Sequence, residues 1–294
     1  MNDRKRQVLL TAQQLFVQNG FFSTTIQDIL DAAQISKGTF YNYFSSKNEC
    51  LTAILIHGHE EIFVRRQELL IGQDLSDKAV LAEQILIRFQ VNREQNLIPI
   101  FQAIFHSGDL ELRAFVSKHH FEEISWLSNR FIDVYGETAT PVSFDSAVLL
   151  LGMIQQSIHV LKVSSRKEID TTEVINYTMR RIDSMITNMI ETNDVFFHDE
   201  VFAHLDKNID ILTYTKQQLH AQLMQFHKVI GDDALPDSKQ HIHFIMDEID
   251  SEYPRILILE SVLRSFREYF AGTLHEHEAQ ELATNIWGYI DALK

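Results

Sequence analysis

Apolar residues recur every three or four positions along almost all of this 294-residue chain, which is the spacing of one face of an α-helix. Val8, Ala12 and Phe16 lie on such a face, and Gly20 is a stop signal for that first helix. Strict alternation of apolar and polar residues, which marks strands, is almost absent. The chain has only 10 Gly and 4 Pro, whereas β-sandwiches and β-barrels need many tight turns. The sequence therefore predicts an all-α fold.

The bulk composition limits the classes of protein and site that this chain can form. A single cysteine, Cys50, excludes an internal disulfide framework and a thiolate-rich zinc site. The longest apolar run, residues 147–154, is far shorter than the ~20 residues of a membrane-spanning helix. The first helix is amphipathic and lacks the apolar core of a signal peptide. We therefore expect a cytoplasmic protein with no membrane partner.

Two short helices near the N-terminus are separated by very few residues. The first covers about 26–33, with Thr24 or Thr25 as its N-cap and Gln27 or Asp28 completing a capping box. The second runs from Ser36 to about residue 43. Only two residues lie between them, which is the spacing of a helix-turn-helix, whose second helix enters the major groove of DNA.

The second of these helices carries side chains suited to DNA. Ser36 can cap it, and its N-terminus favours a phosphate. Gly38 has no side chain, so the backbone there can approach DNA closely. Phe40 and Phe44, four residues apart, form the predicted buried face. The remaining residues offer amino, hydroxyl and amide groups to bases or phosphates: Lys37, Thr39, Tyr41 and Asn42.

Residues 4–51 resemble the DNA-binding domain of the TetR (tetracycline repressor-type) transcriptional regulators. The resemblance runs through Phe16…Gly20, Thr24-Thr25-Ile26, Ser36-Lys37-Gly38-Thr39-Phe40-Tyr41…Phe44 and Ser46-Lys47…Leu51. It implies a homodimer on a palindromic operator, repression released by a small ligand, and an all-helical ligand domain. The candidate DNA-binding residues are Thr24, Thr25, Ser36, Lys37, Gly38, Thr39, Tyr41, Asn42 and Lys47.

The sequence departs from the family pattern at three positions. Gln34 stands where the family often has Gly in the turn, and Leu30 and Asn42 replace the commonest Ala and His. Taken alone, a Ser-Lys-Gly-Thr run with two tyrosines is compatible with an ordinary solvated helix. The matching caps, turn length and buried face favour DNA binding instead.

Residues 51–192 resemble the family's ligand domain only in length and helicity. Helices over 144–163 and 171–189 resemble its dimerisation pair, which builds a four-helix bundle across a two-fold axis. Core packing is the simpler interpretation of the apolar residues in this region, and a core or interface role is the simpler one for His159. The candidates for contacting an effector are Phe101, Phe105, Phe115, Trp126, Phe131, Met153 and His159.

Residues 193–294 form an acidic, histidine-rich C-terminal extension. Apolar residues spaced three and four apart from Phe202 to Ile230, interrupted only by Lys216, predict one helix of about 30 residues with a packing seam. Three shorter helices are expected at about 238–252, 254–271 and 275–293. Histidines two residues apart, as at 241/243 and 275/277, point about 200° apart on a helix, so we predict no metal site and no cofactor.

Three regions and a non-enzymatic role follow from these patterns. We divide the chain into 1–50 (DNA-binding), 51–192 (ligand-binding and dimerisation) and 193–294 (extension). The net charge of −15 lies outside the first region, because residues 1–50 are close to neutral. No metalloprotease, P-loop, dinucleotide or nucleophile-elbow motif occurs, so no enzyme is expected. The alternative is a helical structural or adaptor protein whose seam binds a partner helix.

Overall fold

A computed structural model describes residues 3–105, 108–164, 169–197, 214–230 and 236–291. All regular structure in these residues is helical, with no strand, which confirms the all-α prediction. A short 3₁₀ helix, Glu137–Val142, precedes α8. The α-helices are α1 (Asp3–Asn19), α2 (Ile26–Ala33), α3 (Lys37–Tyr43), α4 (Lys47–Leu70), α5 (Lys78–Glu94), α6 (Ile98–Phe105), α7 (Leu110–Tyr135), α8 (Ser143–Ser164), α9 (Thr171–Thr192), α10 (Lys216–Ile230), α11 (Pro236–Asp250), α12 (Ile256–Phe270) and α13 (Glu276–Asp291).

The helices form two compact units that do not follow chain order. The first unit combines Met1–Ile71, Gln95–Ala103 and Ile211–Lys294, and the second combines Gly72–Glu94 and Ile104–Asp210. Helices α10 to α13 of the extension therefore belong to the same unit as the N-terminal helices α1 to α4.

Local sequence signals set the helix ends in the N-terminal part. Gly20, at φ 84°, follows the last residue of α1. Thr25 caps α2 with a complete capping box, since its hydroxyl accepts from the Asp28 N–H and the Asp28 carboxylate accepts from the Thr25 N–H. Gln34 takes the left-handed conformation at φ 52° that ends α2. This position favours glycine, which is the residue that the family often has there.

The extension and the second half of α4 share one apolar core. Leu219, Leu223 and Phe226 of α10 are buried in it, as the predicted seam requires. The prediction of one continuous helix over 202–230 is wrong, because Tyr214 and Thr215 are not helical and α10 begins at Lys216. Thr215 and Gln218 form a reciprocal pair of hydrogen bonds typical of a helix start. Seam residues 202–212 lie outside the described residues.

Trp287 of α13 is a large side chain at the centre of this core and is 1% exposed. Its indole nitrogen has no hydrogen-bond partner among the described residues, so its contribution is packing. We expect Trp287→Ala to lower the free energy of unfolding by about 3–5 kcal/mol. Trp287→Phe, which keeps an aromatic ring and loses no hydrogen bond, should cost clearly less. Urea unfolding followed by circular dichroism measures both, and equal losses would contradict a packing role.

The second unit is built from α5, α7, α8 and α9 around one core. Phe131, Leu150 and Ile182 are among its fully buried side chains. The buried Asp145 carboxylate accepts hydrogen bonds from the backbone N–H groups of Phe196 and Phe197, which fixes the chain after α9.

The stretch Glu137–Ser164, which contains α8, is apolar on more than its core face. Among the described residues it is the one helical stretch long and apolar enough to cross a membrane, with a mean hydropathy of 1.4, and 28% of that window is buried. Length and composition are the whole basis of that match. The first half of α8 packs in the core, whereas Leu149, Val160 and Val163 are exposed.

Candidate nucleic-acid interface

Helix α3 is held in place by a buried aromatic face and a capped N-terminus. Phe40 and Phe44 are almost completely buried, as predicted from their spacing. The Ser36 hydroxyl accepts from the Thr39 N–H at 3.1 Å and lies 2.9 Å from the Thr39 hydroxyl. Ser36, Lys37 and Gly38 are exposed, so this end of the helix is open to a phosphate.

Exposed polar residues of α3 lie beside and opposite its buried phenylalanines. Lys37 and Tyr41 are four residues apart, and the Lys37 ammonium lies 5.9 Å from the centre of the Tyr41 ring. Tyr41 is 45% exposed, and Asn42 is exposed beside it. The four-residue spacing places Lys37 and Tyr41 along one side of the helix, as contact with a groove requires.

Gly38 has no structural requirement that explains it. It is exposed, has a helical φ, and a Cβ atom built on it meets only the Ser36 Oγ, at 3.8 Å. Alanine is the better helix former at such a position. Nothing in the described residues therefore requires a glycine at this position.

The two threonines before α2 are used inside the protein. Thr24 is buried, and its hydroxyl donates to the backbone carbonyl of Gly20 at 2.9 Å. Thr25 is exposed, but its hydroxyl donates to the Asp28 carboxylate at 2.8 Å while accepting from the Asp28 N–H. The Thr25 backbone N–H and then its hydroxyl, both donating to the Asp28 carboxylate, lower the pKa of Asp28. Thr24 is therefore a buried residue that orients the turn before α2.

Lys47 ties the start of α4 to the turn before α2. Its ammonium donates to the backbone carbonyls of Phe21 and Thr24, at 2.8 and 2.7 Å, and lies 4.4 Å from the centre of the Phe21 ring. Burial lowers the pKa of this ammonium. An ammonium has three N–H groups. Two of them are used by the carbonyls of Phe21 and Thr24, which leaves a third for a phosphate oxygen. The sequence predicted a charge for phosphate and did not predict these carbonyl partners.

The first turn of α4 is capped as expected and contains the single cysteine. The Ser46 hydroxyl accepts from the Glu49 N–H at 3.0 Å, and the Glu49 carboxylate accepts from the N–H of Ser45 rather than of Ser46. Cys50 is fully buried, and burial raises the pKa of its thiol to about 12. Cys50 therefore acts as a small buried residue in the core.

The candidate effector residues do not converge on one cavity. Phe131 is fully buried in the core of the second unit, and Trp126 and Met153 pack against that core. His159 is exposed. Phe101 belongs to the first unit and Phe115 to the second, and the side chain of Phe105 lies outside the described residues. A cavity of about 300 Å³ in the second unit is lined by other residues: Leu86, Gln90, Arg93, Ile169, Asp170, Thr171 and Thr172.

Comparison with known proteins places the N-terminal residues in a family. Residues 8–54 match the sequence model of the bacterial regulatory proteins of the tetR family. An uncharacterized HTH-type transcriptional regulator, YerO, of Bacillus subtilis strain 168 is 26% identical, over 96% of this chain and 94% of its own. A second from that strain, YuxN, is 25% identical over 66% of this chain and 67% of its own.

A third relative is named as a repressor. The HTH-type transcriptional repressor KstR2 of Rhodococcus jostii strain RHA1 is 26% identical, over 45% of this chain and 61% of its own. No solved structure is significantly similar to the chain. The resemblance to the TetR family is confirmed by the N-terminal match. Because the alignment with YerO covers 96% of the chain, the similarity also reaches into the extension.

Proposed function

We propose that this protein is a transcriptional regulator that binds a specific DNA sequence, acting as a homodimeric repressor on a palindromic operator and responding to a small effector in the cytoplasm. The observation that carries the proposal is the exposed face of α3, where Gly38 leaves the backbone open between Lys37, Tyr41 and Asn42. We assign DNA reading to residues 1–50, and effector sensing and dimerisation to 51–192.

The charge distribution supports DNA binding despite the acidic total. Residues 1–50 carry a net charge of +1, so the remaining residues carry the whole of the −15 and one negative charge more. The negative charge of most of the chain therefore repels a DNA duplex, whereas α3, the reading helix, lies in the region that does not repel it. Such an arrangement limits non-specific binding and orients the encounter.

The exposed apolar stripe of α8 supports the homodimer. Leu149, Gly152, Val160 and Val163 lie at spacings of 3, 8 and 3 residues, which places them on one side of the helix, and all four are exposed. A Cβ atom built on Gly152 meets nothing within 4 Å, so a partner helix can approach closely there. A second copy of α8 and α9 would cover this stripe.

The salt dependence of DNA binding tests the proposal. Fluorescence anisotropy with the DNA upstream of the protein's own gene should show a complex that weakens steeply as salt rises. Lys37→Met should reduce the slope of log K against log salt by about 1. Lys228→Met, which removes an exposed lysine of α10, should leave the slope unchanged. A wild-type protein that forms no complex, or one indifferent to salt, would refute the proposal.

A further inference from the structure

Helix α4 belongs to two cores of the first unit at once. Near its start, where α4 packs against α1, Cys50, Leu51 and Ile54 are buried. Two to four turns later, Val64 is fully buried in the core of the extension, and Phe63 packs against the same core. A helix is stiff over this length, so whatever fixes its second half also fixes its first half.

A buried carboxylate of α4 is the centre of the polar contacts with the extension. Glu61 is 6% exposed. One carboxylate oxygen accepts from Arg65 at 2.6 Å and from the Arg267 guanidinium of α12 at 3.3 Å. The other accepts from the side-chain amide of Gln280 of α13. A buried carboxylate held from two other helices resists rotation and sliding of α4, because any movement leaves charged groups unpaired.

Further contacts extend this attachment along α4 and onto α1. Arg267 also lies 3.4 Å from the carboxylate of Glu68, two turns beyond Glu61. In the other direction, the rings of His57 and His277 are 5.3 Å apart. Arg6 of α1 pairs with Glu276 at 3.2 Å. The extension thus contacts both α1 and α4, which pack against each other.

We propose that the extension, α10 to α13, sets the DNA affinity of α3 by fixing the position of α4, with Arg267 and Gln280 as the positioning residues. This inference rests on the proposed function. Neither residue lies on the reading face. Both act through α4, whose N-terminus is tied by Lys47 to the turn that precedes α2. Binding to two half-sites requires both reading helices in fixed positions, and a loosened α4 must be ordered on binding, which weakens affinity.

The test compares a double variant, Arg267→Met with Gln280→Met, with Arg264→Met as the matched control. Arg264 lies on α12 as well, but its guanidinium pairs at 3.1 Å with Glu268 of its own helix. Hydrogen exchange on the full chain, read by mass spectrometry, should show amide exchange in residues 57–70 rising by about tenfold in the double variant. The control should exchange like the wild type. Unchanged exchange in the double variant would overturn the proposal.

DNA affinity is the second readout. The double variant should bind the operator about fivefold more weakly than the wild type, with the control unaffected and Arg267→Lys retaining most of the affinity. Faster exchange together with unchanged or tighter DNA binding would mean that the extension braces α4 without setting affinity, and would overturn the inference.

A wild type that binds no DNA would instead refute the proposed function, while hydrogen exchange would still show whether α4 is held. If the double variant unfolds, the single variants Arg267→Met and Gln280→Met give the same comparison.

Discussion

Replacing Gly38 with alanine is expected to abolish tight operator binding while the protein stays folded. The affinity should fall by about 10- to 100-fold, since the loss of one or two base contacts costs about 1–3 kcal/mol. The physical reason is steric. A methyl group at this position projects from the exposed face of α3, between the groups that we assign to DNA contact, and holds the backbone away from the groove.

The same substitution should not destabilise the free protein. The added Cβ meets only the Ser36 Oγ at an ordinary contact distance of 3.8 Å. Alanine also stabilises a helix by about 0.5–1 kcal/mol relative to glycine. Stability and DNA affinity should therefore change in opposite directions, which no general loss of folding can produce.

Gly108→Ala is the control for adding a methyl group to an open surface, because a Cβ atom there meets nothing within 4 Å and the residue lies in the second unit. It should leave operator affinity unchanged. Fluorescence anisotropy gives the affinities, and urea unfolding gives the stabilities. Wild-type affinity in Gly38→Ala would show that the backbone of α3 does not approach DNA closely.

The double substitution Leu149→Glu and Val160→Glu on α8 is expected to separate the homodimer and to reduce operator affinity by about 100-fold or more. Two carboxylates on each copy would face their counterparts in an apolar contact, where unpaired charges are costly. Once the subunits separate, the two half-sites no longer bind as one unit, and the gain of about 10²- to 10⁴-fold from joint binding is lost.

Surface substitution by itself should have no such effect. Val229 of α10 is 53% exposed, the same as Val160, and Met224 on that helix is also exposed, so Met224→Glu with Val229→Glu is a matched control. Light scattering coupled to size-exclusion chromatography measures the mass of each variant. A dimeric α8 double variant, or a wild type that is already monomeric, would contradict the proposed interface.

Short-range signals made the N-terminal part predictable from sequence. Thr25 with Asp28 and Ser46 with Glu49 are local hydrogen-bonding pairs whose spacing specifies where a helix begins. Phe40 and Phe44 gave the buried side of α3 because four residues make about one helical turn. The residues of this segment also carry the resemblance of residues 4–51 to the TetR family.

Long-range packing could not be predicted in the same way. Periodicity indicated that the extension has an apolar face but not which helix covers it, and nothing local links Glu61 to Gln280 across 219 positions. The missed start of α10 has a different cause. The three-and-four spacing continues through Thr215, so a local capping signal was hidden by a pattern that favours a continuous helix. The internal hydrogen bonds of the Thr24 hydroxyl and of the Lys47 ammonium likewise depend on how neighbouring turns pack, which the sequence does not show.

Selection of binding sites from a random DNA library by the full-length wild-type protein tests the central claim most directly. Sequencing of the bound fraction should show one enriched motif made of two inverted half-sites, about one helical turn of DNA apart. The Gly38→Ala variant, carried through the same selection, should not enrich that motif. Failure of the wild type to enrich any sequence, or enrichment of the same motif by Gly38→Ala, would contradict DNA reading by α3.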